Sequence, residues 1–224
     1  MTSLPSILGF GILLGMQHAT DADHLAAIST MVSQTRRPLD ALKVGVAWGL
    51  GHTTTLVLMG VLVLVAKVPL PEQVVSALEL TVGVVLVVLG VRVLRRIATP
   101  TKDEHRAVHL HADESHTHLA RADRWRAYVI GCLHGLAGSG ALMLLIVSTF
   151  EHSLAGLVYV LVFGFGTLLG MGLMSTLLSL PFAFFRDPIS RGAVGLRALT
   201  GLVSVGLGLA IIVERLGELR HLGG

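Results

Sequence analysis

The segment HATDADH, residues 18 to 24, places two imidazoles and two carboxylates in the middle of an otherwise apolar run from Leu4 to Val32. Near a bilayer centre each ionised aspartate costs about 2.5 to 3.5 kcal/mol, so Asp21 and Asp23 together oppose insertion by about 5 to 7 kcal/mol unless something compensates them. On a continuous helix His18, Asp21 and His24 follow i, i+3, i+6 along one stripe, with Asp23 turned away unless the backbone unwinds locally. Imidazole nitrogens and a carboxylate oxygen are a partial ligand set for a divalent first-row metal, whose charge offsets the acids. The alternative is a cluster satisfied by hydrogen bonds to neighbouring helices. That explains one polar residue in an apolar run better than four in seven.

The rest of the chain reads as the scaffold for this cluster. Its 224 residues are 53% hydrophobic and only 14% charged, with a mean hydropathy of +0.76. This composition predicts an all-α integral membrane protein. Six segments are long enough to span, at roughly 4–33, 41–67, 73–97, 126–149, 154–182 and 192–213. Fourteen of the seventeen basic residues fall in the first, third and fifth connections. Those connections are therefore cytoplasmic, and both termini lie outside a cell membrane crossed several times. The net charge of +3 is explained by these loops, so nucleic acid is not implied. Trp125, Tyr128, Phe182, Phe184 and Phe185 are expected as anchors at the inner interface. The single cysteine, Cys132, permits no intrachain disulfide, and the N-terminus carries no cleavable signal pattern.

A thirty-residue first span makes about 45 Å of helix against a hydrocarbon core of about 30 Å. It tilts, protrudes or breaks, and a break near residues 18 to 24 is expected, because irregular backbone is tolerated where it lines a cavity or is buried in protein.

The chain also repeats. GMQHATDADHLAA from Gly15 resembles GCLHGLAGSGAL from Gly131, setting His18 against His134 at an offset of 116. WGLGHT from Trp48 matches FGFGTL from Phe163 at 115, and Gly83 and Gly90 match Gly201 and Gly208 at 118. Three spans per half is an odd number, so the halves run in opposite senses, as in inverted-repeat transporters with a site near the midplane. The expected domains are a first three-helix repeat (1–97), a His-rich cytoplasmic loop (98–125), a second repeat (126–216) and a short tail (217–224). The repeat adds His52 and His134 to the metal set of His18, Asp21, Asp23 and His24. Thr53 and Ser139, the latter at the place of Asp23, stand beside it as accessory residues. Met171 and Met174 read as packing rather than as thioether ligands. In the loop, His105, His109, His111, His116 and His118 alternate with acids, a composition suited either to weak metal holding or to a solvated linker.

HATDADHLAAI resembles the H-A-x-D-A-D-H element of the nickel/cobalt transporter family, WGLGHTTT its G-H-[ST] element, and FGFGTLLGMG a later Gly-rich stretch. HGLAGSGAL is similar to the shorter six-span, nickel permease-like branch linked to urease and hydrogenase maturation. The resemblance implies that His18, Asp21, Asp23 and His24 bind the transported ion, with His52 assisting. Two departures are visible. Gln17 stands where the longer branch has arginine, and HGLAGSGAL lacks carboxylates.

The residues alone point to a secondary transporter for a divalent first-row cation, not an enzyme. The resemblance selects nickel, then cobalt, as the ion. No resident cofactor is implied. The partners are the ion, the lipid bilayer and, for assembly or delivery, a second copy or a metallochaperone. Neutral His and ionised Asp are the binding forms, so protons compete with metal. Two other classes share the ligands: an intramembrane metalloenzyme, which lacks an HExxH or paired ExxH element here, and an accessory subunit that delivers metal through the His-rich loop.

Overall fold

The computed structural model describes residues 4–35, 37–65, 71–99, 123–137, 153–185 and 190–222, with backbone alone at 4–8 and 221–222. The regular structure among them is helical: α1 (Leu4–His18), α2 (Ala22–Val32), α3 (Pro38–Gly60, continued by a π-helical turn at Val61–Val65), α4 (Glu72–Ala98), α5 (residues 123–137), α6 (Ser153–Phe184) and α7 (Arg191–Leu222). Pro38–Val65, Glu72–Ala98, Ser153–Phe184 and Arg191–Arg220 are each long and apolar enough to cross a bilayer. They coincide with the second, third, fifth and sixth expected spans, and the chain is a helical membrane protein. α5 begins the fourth expected span. The loop histidines His105, His109, His111, His116 and His118, together with Ser139, lie outside the described residues. At the C-terminus α7 runs on to Leu222, so residues 217–222 continue the last helix.

The first expected span is two helices. α1 stops at His18, where the Thr20 amide and hydroxyl both donate to the Gln17 carbonyl, at 2.8 and 2.6 Å. Asp21 then takes the N-cap position of α2 in an extended conformation (φ −60°, ψ 149°). Thr and Asp offer the backbone local hydrogen bonds that compete with helix, and both favour caps. The expected break is therefore present, and it corrects the alternative of a single stripe: His18 closes one helix, and Asp21 and His24 open the next.

α3 packs along α6 and α4 along α7, while α1 lies against α6 and α2 touches α4, α6 and α7. Half of the most apolar stretch of α6 is buried against 17% of that of α7, so α3 and α6 are central and α4 and α7 peripheral. The seams are closed by small residues. A Cβ added at Gly90 would lie 2.5 Å from the Gly201 carbonyl oxygen, and one at Gly83 would lie 2.9 Å from that of Gly208. These two contacts exchange when the offset of 118 is applied, since Gly83 maps to Gly201 and Gly90 to Gly208. Gly49 against Leu168 and Thr53 against Gly164 exchange in the same way at 115. So do Gly15 on the Phe163 carbonyl and Gly131 on the Trp48 carbonyl, at 116 and 115. Trp125 is exposed and stacks on Tyr128, and Phe184 and Phe185 are exposed. Phe182 departs from the expected anchors: it is buried within the bundle.

Candidate metal centre

Four elements bring six candidate ligands together. His18 ends α1; Asp21, Asp23 and His24 occupy the cap and first turn of α2; His52 comes from the middle of α3; His134 comes from α5. His24, His52 and His134 are at most 2% exposed. Their rings crowd, with His24 centred 4.6 Å from His18, 5.2 Å from His52 and 5.2 Å from His134, and His18 5.2 Å from His52.

The hydrogen bonds show which atoms remain for a ligand. Asp21 Oδ2 lies 2.8 Å from His18 Nδ1, and Asp23 Oδ1 lies 3.1 Å from His24 Nδ1. Carboxylates on one ring nitrogen fix the imidazole and leave the other for a metal. Asp21 makes no cap hydrogen bond to its own helix, because its side chain turns back to His18. His24 Nε2, both nitrogens of His52 and both nitrogens of His134 are buried without a hydrogen-bond partner. Leaving a polar group in that condition costs about 1 to 3 kcal/mol, and the indole Nε1 of Trp48 and the hydroxyl of Ser175 are likewise unpartnered; the imidazole nitrogens are the atoms of this group that are free to take a metal. One ligand atom from each of His18, His24 and His52 falls within 4.8 Å of the others, as does one from each of Asp21, Asp23 and His24. Bonds of about 2.0 to 2.1 Å from imidazole to a metal put opposed ligand atoms about 4.2 Å apart, so small side-chain shifts close either set around one ion.

Two aromatic residues in this site were legible only as ends of the repeated motif. Trp48 packs 5.3 Å from His24 and 5.4 Å from His134, and Phe163 packs 5.5 Å from His18. Thr53, by contrast, spends its hydroxyl on the Gly164 carbonyl at 3.0 Å and so ties α3 to α6. Met171 is buried in the core beside Gly45 and Gly49, in keeping with packing. Beyond the far end of α2 lies a cavity of about 530 Å³ whose lining includes Arg92, Arg96 and Arg126. Asp123 also lines it and pairs with Arg126 at 3.2 Å, and no histidine is among its lining residues.

Comparison with known proteins agrees with this chemistry. A family model described as NicO, high-affinity nickel-transport protein, matches residues 5–216. The chain is 35% identical over 206 residues to the urease accessory protein UreH of Bacillus sp. (strain TB-90), covering 92% of this chain and 90% of that protein. It is 41% identical over 76 residues to the high-affinity nickel transport protein of Cupriavidus necator, covering 31% of this chain and 21% of that one. Similarity also extends to the chloroplast protein FOR GROWTH AND FERTILITY 2 of Arabidopsis thaliana, 27% identical over 92% of this chain and 55% of that protein. No solved structure matches.

Proposed function

Because this chain belongs to the NicO family of high-affinity nickel-transport proteins, we propose that it is a permease carrying Ni²⁺, and secondarily Co²⁺, across the cytoplasmic membrane through the histidine cluster. The observation that carries this reading is the set of buried imidazole nitrogens without partners on His24 and His52, beside His18. Neutral imidazoles with one carboxylate suit Ni²⁺, Co²⁺ and Zn²⁺ alike; the family supplies the preference for nickel. His18, His24 and His52 bind the ion, Asp23 supplies charge, and Asp21 orients His18. The names of two relatives, a urease accessory protein and a nickel transport protein, fit the same cargo.

The proposed architecture has six crossings in two inverted three-helix repeats, with α1 and α2 as one broken crossing, α5 opening the fourth, and both termini outside. The contacts that exchange under the repeat offsets support it. A broken helix at the midplane, facing its counterpart from the other half, is the arrangement used for alternating access. Uptake of Ni²⁺ into proteoliposomes tests the reading. His52→Ala and Asp23→Asn are expected to lower the initial rate at least 100-fold, with Co²⁺ carried next best and Mn²⁺ poorly. Wild-type protein that binds Ni²⁺ without moving it would overturn the permease.

A further inference from the structure

We propose that Asp23 and His134 form a second metal station, to which His24 passes the ion from the first. This rests on the transport reading above and concerns the order in which the ligands act.

The geometry divides the cluster. His18, His24 and His52 already bring one ligand atom each within 4.8 Å of the others, and His134 stands outside that set. Among the described residues it pairs with Asp23, whose Oδ2 lies 3.6 Å from His134 Nε2, too far for a hydrogen bond. The other oxygen of the same carboxylate is on His24 Nδ1 at 3.1 Å. Asp23 thus bridges the two sets, and the His24 ring lies 5.2 Å from both His52 and His134. Most buried side-chain polar atoms have at least one hydrogen-bond partner. His134 bonds neither, although its side chain has no exposed surface.

The repeat gives the two stations opposite sides. His134 is the counterpart of His18, and each faces an aromatic ring that is the other's counterpart, Phe163 at 5.5 Å from His18 and Trp48 at 5.4 Å from His134. Inversion of the halves puts His18 and His134 on opposite sides of the midplane. In the transfer, the bonds from the ion to His18 and His52 break as bonds to His134 Nε2 and Asp23 Oδ2 form, with His24 bound throughout. The ion keeps its oxidation state, and no group is transferred.

Full-length protein separates the stations. In detergent, equilibrium dialysis with radioactive Ni²⁺ should give His134→Ala an affinity within about threefold of wild type. In proteoliposomes its uptake should fall more than tenfold, whereas His52→Ala loses both. His134→Gln, closer in volume, serves if the alanine variant does not fold, and the same result is expected of it. If a folded His134 variant loses binding together with uptake, all the histidines form one site and the proposal fails. Wild-type uptake in either variant also overturns it. Absence of uptake by the wild type itself would instead strike the permease reading, and the second station would fall with it.

Discussion

Where α4 crosses α7, the buried hydroxyls are matched: Ser204 Oγ donates to the Leu86 carbonyl at 2.8 Å, between the glycine contacts of Gly83 with Gly208 and Gly90 with Gly201, and Ser76 Oγ donates to Glu218 Oε2 at 3.4 Å. Where α3 crosses α6 beneath α1 and α2, the same small-residue packing surrounds unmatched nitrogens on His24 and His52. Both seams run antiparallel, since rising residue numbers on one helix meet falling numbers on the other. Close packing therefore needs no histidines, and unpartnered buried nitrogens are expected to lower the stability of the metal-free chain. Replacing an orphaned buried polar group by an apolar one of similar size is neutral or stabilising. The largest effect that sharpens the contrast is thus His52→Leu. It should abolish Ni²⁺ uptake, by more than 100-fold, and raise the metal-free unfolding temperature in detergent, by an amount corresponding to about 1 to 3 kcal/mol. A lowered unfolding temperature would show that the nitrogens of His52 are satisfied without metal and would remove the contrast.

The reverse substitution tests the other seam. Gly90→Leu drives a side chain into the Gly201 carbonyl and Val205, whose Cγ2 would lie 2.7 Å from the new Cβ. Overpacking of this kind costs about 1 to 3 kcal/mol. Thermal unfolding should shift down accordingly, while Ni²⁺ bound per folded molecule stays at the wild-type value, because the atoms that the new side chain meets first belong to Gly201 and Val205 and not to a candidate ligand. Loss of binding by the folded fraction would mean that the peripheral pair positions the ligands and is not a separate support.

That these residues gather was legible because four polar residues in seven cannot be hidden in an apolar run, and the correspondence of His18 with His134 was legible because the repeat offset is nearly constant. The break at His18 followed from length together with Thr20 and Asp21. Which carboxylate does what was not legible, because spacing on an ideal helix put Asp21 on the stripe and Asp23 off it. The break reverses their neighbours: Asp21, at the N-cap position, turns its side chain back to His18, and Asp23 reaches His24 and lies beside His134. Trp48 and Phe163 escaped notice as site residues, since an aromatic on an apolar helix reads as core until its partner helix is known. Their correspondence at an offset of 115 was the available signal. Phe182 shows the opposite limit: a phenylalanine near a helix end takes the interface or the core according to the helix beside it, and here it is buried.

The smallest expected effect concerns the matched seam itself. Ser204 and Leu86 differ by 118, the offset that also relates the glycines of α4 to those of α7, so their hydrogen bond sits on the axis that exchanges the two helices. Hydrogen bonds between helices in a membrane average about 0.6 kcal/mol. Ser204→Ala should therefore lower stability by about that amount and leave Ni²⁺ uptake unchanged, as measured by unfolding in detergent and by proteoliposome flux. Ser204→Cys should fall between, since a thiol donates weakly. A loss several times larger would mean that the bond sets the register of the whole α4–α7 pair, because sliding either helix by one turn would separate Ser204 from Leu86 and both glycine contacts together.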